Sequence, residues 1–179
     1  MKILKDAEKK INSSEKNDLE SIVRGICSNV RENGDKAIKE YGIKFDNINL
    51  EEPTVSKEEI KAAYSKIEPE TLENLKFAAE RIRNFAEHQR ACLKDLSYEI
   101  STGVILEQRI IPIESCGCYV PAGRHPLPSS ALMSIIPAKV AGVKRITACS
   151  PASKGCNGIH PAVLVAMDLA GVDEVYCMG

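Results

Sequence analysis

The chain lacks most of the features that would point at once to a partner. It has almost no net charge, since 24 basic against 25 acidic residues leave −1. That balance gives no electrostatic reason to expect nucleic acid or an anionic membrane. No apolar run approaches the roughly 18 residues that span a bilayer, and Met1 leads into a Lys-rich polar segment rather than a signal-peptide core. Cytoplasm is therefore the expected compartment. The sequence also lacks G-x-G-x-x-G, P-loop, H-x-x-H and H-E-x-x-H patterns. With three histidines and no carboxylate cluster, no site for an activated water or a general base is legible.

What is present suits a globular protein with small-molecule chemistry or protein contacts. The 179 residues, 44% of them apolar, can bury a core in one ordinary domain or two small ones. The seven cysteines are an odd number, scattered through a chain too large and too apolar to need disulfide staples. Most read as small buried apolar side chains. Cys116 and Cys118 alternate along a strand, and no second Cys or His pair at zinc spacing follows them.

The first hundred or so residues are polar and helix-patterned, whereas residues 115–167 contain no acid and are rich in Gly and Pro. These differences place a boundary near residues 112–116. They divide a helical region with a β-hairpin, 1–112, from a partial Rossmann-like lobe, 113–179. Leu19, Ile22, Val23, Ile26, Cys27 and Val30 recur at helical spacing, with Ser14 as N-cap and Gly34 as the stop. A shorter helix restarts at Asp35 with Ala37, Ile38 and Tyr41, and Gly42 weakens it. Ser56 followed by Glu59 forms the reciprocal capping arrangement for a third helix with Ile60, Ala63, Tyr64 and Ile67 on its apolar stripe. Pro69 opens a fourth, buried through Leu72, Leu75, Ala79, Ile82 and either Phe85 or Ala86. His88, near its end, reads as a solvated residue beside the terminal carbonyls.

From Ser97 the period shortens to two, with Thr102-Gly103 as the turn of an antiparallel pair. The remainder alternates strand "CGCYV", helix from about Ser130 to Ala141, strand "RITACS", helix from about Ile159 to Ala170, and strand "EVYCM". That alternation predicts a parallel sheet built by right-handed crossovers, an incomplete Rossmann-like α/β unit. Pro137, inside the first of these helices, predicts a kink or a late helix start.

In such sheets the ligand crevice lies beyond the carboxyl ends of the strands, which draws attention to "CGCYVPAGRHPLPSS", residues 116–130. Gly123 can let a ligand approach the backbone, and Ser129 or Ser130 can cap the next helix. Free N–H groups at that helix start favour an anion such as a dinucleotide phosphate. The alternative is a rigid turn with an ordinary cap. Arg124 and His125 lie in the turn itself, but His125 has no acid or cysteine partner and reads as a polar loop residue. His160, before Pro161, reads as a structural cap.

The stretch "GCYVPAGRHPLPSSALMSIIPAKVAGVKRITACSP", followed by "LAGVDEVYCMG", resembles the histidinol dehydrogenase family. Upstream, "ENGDKAIKEYGIKFD" and "RIIPIESCGCYVP" are similar to the family's N-terminal helical signature and to the strand leading into its nucleotide lobe. Ala122 departs from the family's usual second glycine, giving "PAG" rather than "PGG". The resemblance implies an NAD-dependent, zinc-containing dehydrogenase that oxidises L-histidinol twice, through an aldehyde, to histidine, as a homodimer. It implies that Tyr119 lies at the NAD site, so the expected cofactor-binding set is Tyr119, Gly123, Ser129 and Ser130. It also places the family's zinc ligands and acid/base pair beyond Gly179, leaving no catalytic or metal residue here and a chain inactive by itself. Two other readings stay open: a relative acting on another polar alcohol, and a non-catalytic assembly module pairing with a separate C-terminal half across an exposed sheet edge.

Overall fold

The computed structural model describes residues 13–46, 48–49, 51–122, 125–153 and 155–179, with side chains from residue 18 onward. Helix α1 (Ser13–Asn33) already includes Ser13, which puts Ser14 in the first turn rather than at the cap, a difference within the fraying of helix ends. Its apolar stripe is largely uncovered: Leu19, Ile22 and Val23 remain exposed. Periodicity establishes that a face is apolar, not that a neighbour meets it. Helix α2 (Asp35–Tyr41) runs directly into one π-helical segment, Gly42–Asp46, where Gly42 was expected to weaken the pattern. Tyr41 and Phe45 stack there at 5.6 Å between ring centroids.

Helix α3 (Lys57–Tyr64) begins with the expected capping box. The Glu59 N–H donates to Ser56 Oγ at 3.2 Å, and the Ser56 N–H donates to the Glu59 carboxylate at 2.8 Å. Helix α4 (Pro69–Ala91) has Pro69 in its first turn, and of the two candidates for its buried face Ala86 is buried and Phe85 exposed. His88 Nδ1 donates to the Asn84 carbonyl at 2.8 Å near the helix end.

Strands β1 (Leu96–Ser101) and β2 (Val104–Gln108) pair antiparallel around a turn in which Gly103 takes φ +80°. Strands β3 (Ser115–Tyr119), β4 (Arg145–Ser150) and β5 (Glu174–Cys177) form a parallel sheet in the order 3-4-5. Their connections run through α5 (Pro128–Ala141) and α6 (Pro161–Ala170), which pack side by side on one face. The α/β class expected from the sequence is the observed one. Alternate residues of the strands mark the covered face: Cys118, Ile146, Ala148, Ser150, Val175 and Cys177 are buried. Behind α5 and α6 lies a further layer, where Ala63, Leu75 and Ala79 of α3 and α4 join the same core as Leu132, Ile135, Val163 and Met167. Helix α6 is therefore apolar around most of its circumference, as a helix enclosed between layers must be. Tyr64 ties the layers together by donating to Asp168 at 2.6 Å.

Several boundaries differ from the sequence reading for local reasons. Helix α5 starts at Pro128 with Leu127 at the N-cap and no side-chain cap, so neither Ser129 nor Ser130 caps it. Proline's fixed φ suits the first helical position and starts the helix before the serines. Pro137 accordingly sits within a continuous helix, and no late start occurs. Helix α6 starts at Pro161 rather than Ile159 for the same reason. The cysteines divide differently from the expectation that most are buried: Cys118 and Cys177 are buried, Cys116, Cys149 and Cys156 half-buried, and Cys27 and Cys92 exposed, all as free thiols. Finally, the outer edge of β5 is not bare. Residues 53–55 run antiparallel beside it, with the Val55 N–H donating to Val175 O at 2.9 Å and the Cys177 N–H to Pro53 O at 2.7 Å.

Candidate functional site at the carboxyl end of the sheet

The two faces of the three-stranded sheet have opposite character because side chains alternate along each strand. Helices cover one. The other carries Tyr119, which is 56% exposed, and the parallel register sets it beside Cys149, with Tyr176 next across the sheet. The backbone holds this end firmly: the Val120 N–H donates to Cys149 O at 2.8 Å, and Val120 and Ala122 are buried. A planar phenol is thus held at the strand terminus by buried residues on the adjoining turn while its ring faces solvent. Ser129 is exposed in the first turn of α5, and Ser130 is half-buried with its N–H donating to Leu127 O at 3.0 Å. Topology brings Tyr119, Ser129 and Ser130 to the same end of β3. Gly123 and Arg124 lie outside the described residues, and His125 is exposed in the turn. Cys149 and Tyr176, which share Tyr119's row, were not singled out from sequence. The alternation within "RITACS" and "EVYC" marks their face, but only the register reveals the row.

The charged groups gather at the opposite end of the strands. Arg145, at the start of β4, donates to both carboxylate oxygens of Glu174, at 2.8 Å to Oε2 and 3.1 Å to Oε1. The Glu174 carboxyl is held below its ordinary range chiefly by those hydrogen bonds. Beside it, Asp173 accepts from the Ile146 N–H at 2.8 Å and from Lys139 at 3.1 Å, and its pKa is lowered, the backbone hydrogen bond being the main cause. These pairs fasten the strand starts and the end of α5 and stand away from the crevice.

At the crevice end, the loop after β4 folds on itself through the Ser153 N–H to Gly158 O, 2.9 Å. His160 closes it as the expected cap, its Nδ1 accepting from the Ala162 N–H at 3.2 Å. Ser153 Oγ is buried and unpartnered among the described residues. Two cavities open near this end. One of about 630 Å³ lies between α1, α2 and the end of β5 and is walled by Ile26, Val30, Tyr41 and Phe45. The other, about 350 Å³, lies between α3 and residues 155–159. Tyr119, Ser129 and Ser130 line neither. Burial pushes the Cys177 thiol, which borders both, up to about 11, with the Asp46 and Glu59 carboxylates adding to the effect. It is a poor nucleophile there. No group of three His, Cys, Asp or Glu side chains converges among the described residues.

A family model, "Histidinol dehydrogenase", matches residues 9–179. The chain belongs to the histidinol dehydrogenase family. Histidinol dehydrogenase of Listeria innocua is 43% identical over 174 residues, covering 97% of this chain and 39% of that protein. A sulfopropanediol 3-dehydrogenase of Ruegeria pomeroyi is 39% identical over 166 residues, covering 93% of this chain and 38% of the relative. The crystal structure of histidinol dehydrogenase from Elizabethkingia anophelis superposes with a TM-score of 0.84 at 33% identity, over 98% of this chain and 38% of that one. The fold described above is therefore part of the histidinol dehydrogenase architecture, and the family is one of oxidoreductases. This chain spans 31% to 42% of the length of the curated relatives it matches. Among the described residues no helix is long and apolar enough to cross a membrane.

Proposed function

We propose that this chain supplies the dinucleotide-holding part of an NAD-dependent, zinc-containing dehydrogenase that converts L-histidinol to L-histidine in the cytoplasm, as a homodimer, at the end of histidine biosynthesis. The observation that carries the reading is the exposed Tyr119 ring at the carboxyl end of β3, in a chain of this family. Crevices in open parallel sheets lie at that end. Tyr119 offers a flat surface for a planar ring, Ser129 and Ser130 offer polar groups at the start of α5, and Gly123 completes the set by sequence. NAD would supply the hydride acceptor; the residues here bind and orient it. The described residues do not fit a zinc site, because no three ligands converge, so no zinc-dependent step is derived from them.

The test is binding before turnover. NADH fluorescence titrations of the 179-residue chain should detect binding that Tyr119→Ala weakens about tenfold, the loss of roughly one aromatic contact. Equal affinity in the variant would refute the assignment of Tyr119. With NAD, zinc and histidinol together, the chain alone should give no steady NADH production.

One observation favours a second substrate, the relative named sulfopropanediol 3-dehydrogenase. On that reading the same lobe serves oxidation of a different polar alcohol. Comparing kcat/KM for the two alcohols in an enzyme that contains this chain would separate them.

A further inference from the structure

The β1–β2 hairpin is one-sided in composition and unburied on its apolar side. Tyr98 pairs with Leu106, and Leu96 and Val104 share their face by the two-residue period of each strand. These four side chains are 48% to 61% exposed. The opposite face carries Ser97, Glu99 and Glu107, with Ile105 as its one apolar member. Alternation of this kind marks a face to be buried, because a slip of one residue would reverse it. Yet no described helix packs substantially on the hairpin. A two-stranded hairpin is marginal in water without a third element against it.

We propose that this apolar face is the docking surface for a polypeptide equivalent to the part of a histidinol dehydrogenase that this chain does not match. The inference rests on family membership and not on the NAD assignment. Nearly all of this chain, 98%, superposes on the Elizabethkingia anophelis enzyme, and the match takes in only 38% of that protein, so the same fold exists alongside more than as much chain again. A second copy is the weaker occupant. Six residues at about 3.4 Å each by two strands about 5 Å apart give a face of about 200 Å². A stable pair of proteins buries about 800 Å² on each partner. A polypeptide longer than this chain can reach past the hairpin to further surface and so meet that requirement; two hairpins packed on each other do not.

The experiment co-expresses the tagged chain with the part of the Listeria innocua enzyme outside the aligned region, without added NAD, zinc or alcohol. The wild-type chain should retain that polypeptide after affinity purification, giving a complex by light scattering. Leu106→Lys and Tyr98→Lys should each reduce recovery at least tenfold, with Val104→Thr weakening it less. Ser97→Lys, on the polar face, should leave it unchanged. Because these side chains already meet solvent, the far-UV circular dichroism of each isolated variant should match the wild type. Full recovery with Leu106→Lys would overturn the proposal. So would failure of the wild-type chain to retain or solubilise the polypeptide, or a dimer of the chain alone that Leu106→Lys dissociates, which would assign the face to a second copy. NADH binding at Tyr119 is measured separately, so failure of one reading leaves the other standing.

Discussion

Asp173 shows how much one side chain can fasten. It accepts from a lysine on α5 and from the backbone where β4 begins, joining two elements across 27 to 34 residues of sequence. Its lowered pKa fixes the sign of a pH effect. A carboxyl whose folded pKa lies below its unfolded value stabilises the fold above the unfolded value, and that stabilisation fades as pH falls through the folded one. In urea unfolding at neutral pH, Asp173→Asn should cost about 1 kcal/mol, kept small by the partial exposure of the pair. The gap should begin to narrow as pH falls past the ordinary carboxylate value of about 4 and close only below it, where the folded carboxyl protonates in its turn. A gap independent of pH would show that the charge contributes nothing. Little of this was legible beforehand, because the Asp173 partnership needs the register of β4 against the α5 terminus. His160 was legible, because a residue just before Pro161 has one short-range role open to it, and it fills that role.

Among the elements, the clearest sequence signals were those whose chemistry closes within a few residues. Ser56 and Glu59 satisfy each other's backbone groups across three positions, and the helix begins where that pattern says. Replacing Ser56 with Ala should lower stability by about 1 kcal/mol, measured by thermal or urea unfolding, since it strands the Glu59 N–H. The strand "RITACS" coincides with β4 for a similar reason: apolar alternation between a charged residue and Pro151 leaves few other lengths. The start of α5 was misread because two serines resemble a cap, while Pro128 just before them supplies the first helical φ directly. The hairpin's turn and pairing were readable from Thr102-Gly103 and the alternation around it. Its lack of a cover was not, since periodicity describes one element and says nothing about its neighbour.

For the whole molecule, stability resides where α6 is enclosed. Met167 is fully buried in the core that the sheet, α5 and α6 share with α3 and α4. Met167→Ala should therefore cost 2 to 5 kcal/mol, read as a fall in the urea midpoint with little change in slope. A cost below about 1 kcal/mol would mean the layers can close over the gap. Layering was only half visible in the sequence: alternation of strand and helix announced the parallel sheet, but nothing marked α3 and α4 as its outer cover. The candidate site was legible as a position, the turn after β3, and its face became assignable only when Cys149 and Tyr176 fell into Tyr119's row. The short antiparallel run of residues 53–55 beside β5 has one more consequence. Sheets polymerise sideways only when both flanks can accept a newcomer. With one flank already occupied from within, β3 is the receptive side of the parallel sheet among the described residues, so sideways association through that sheet stops at a pair and does not propagate into a filament.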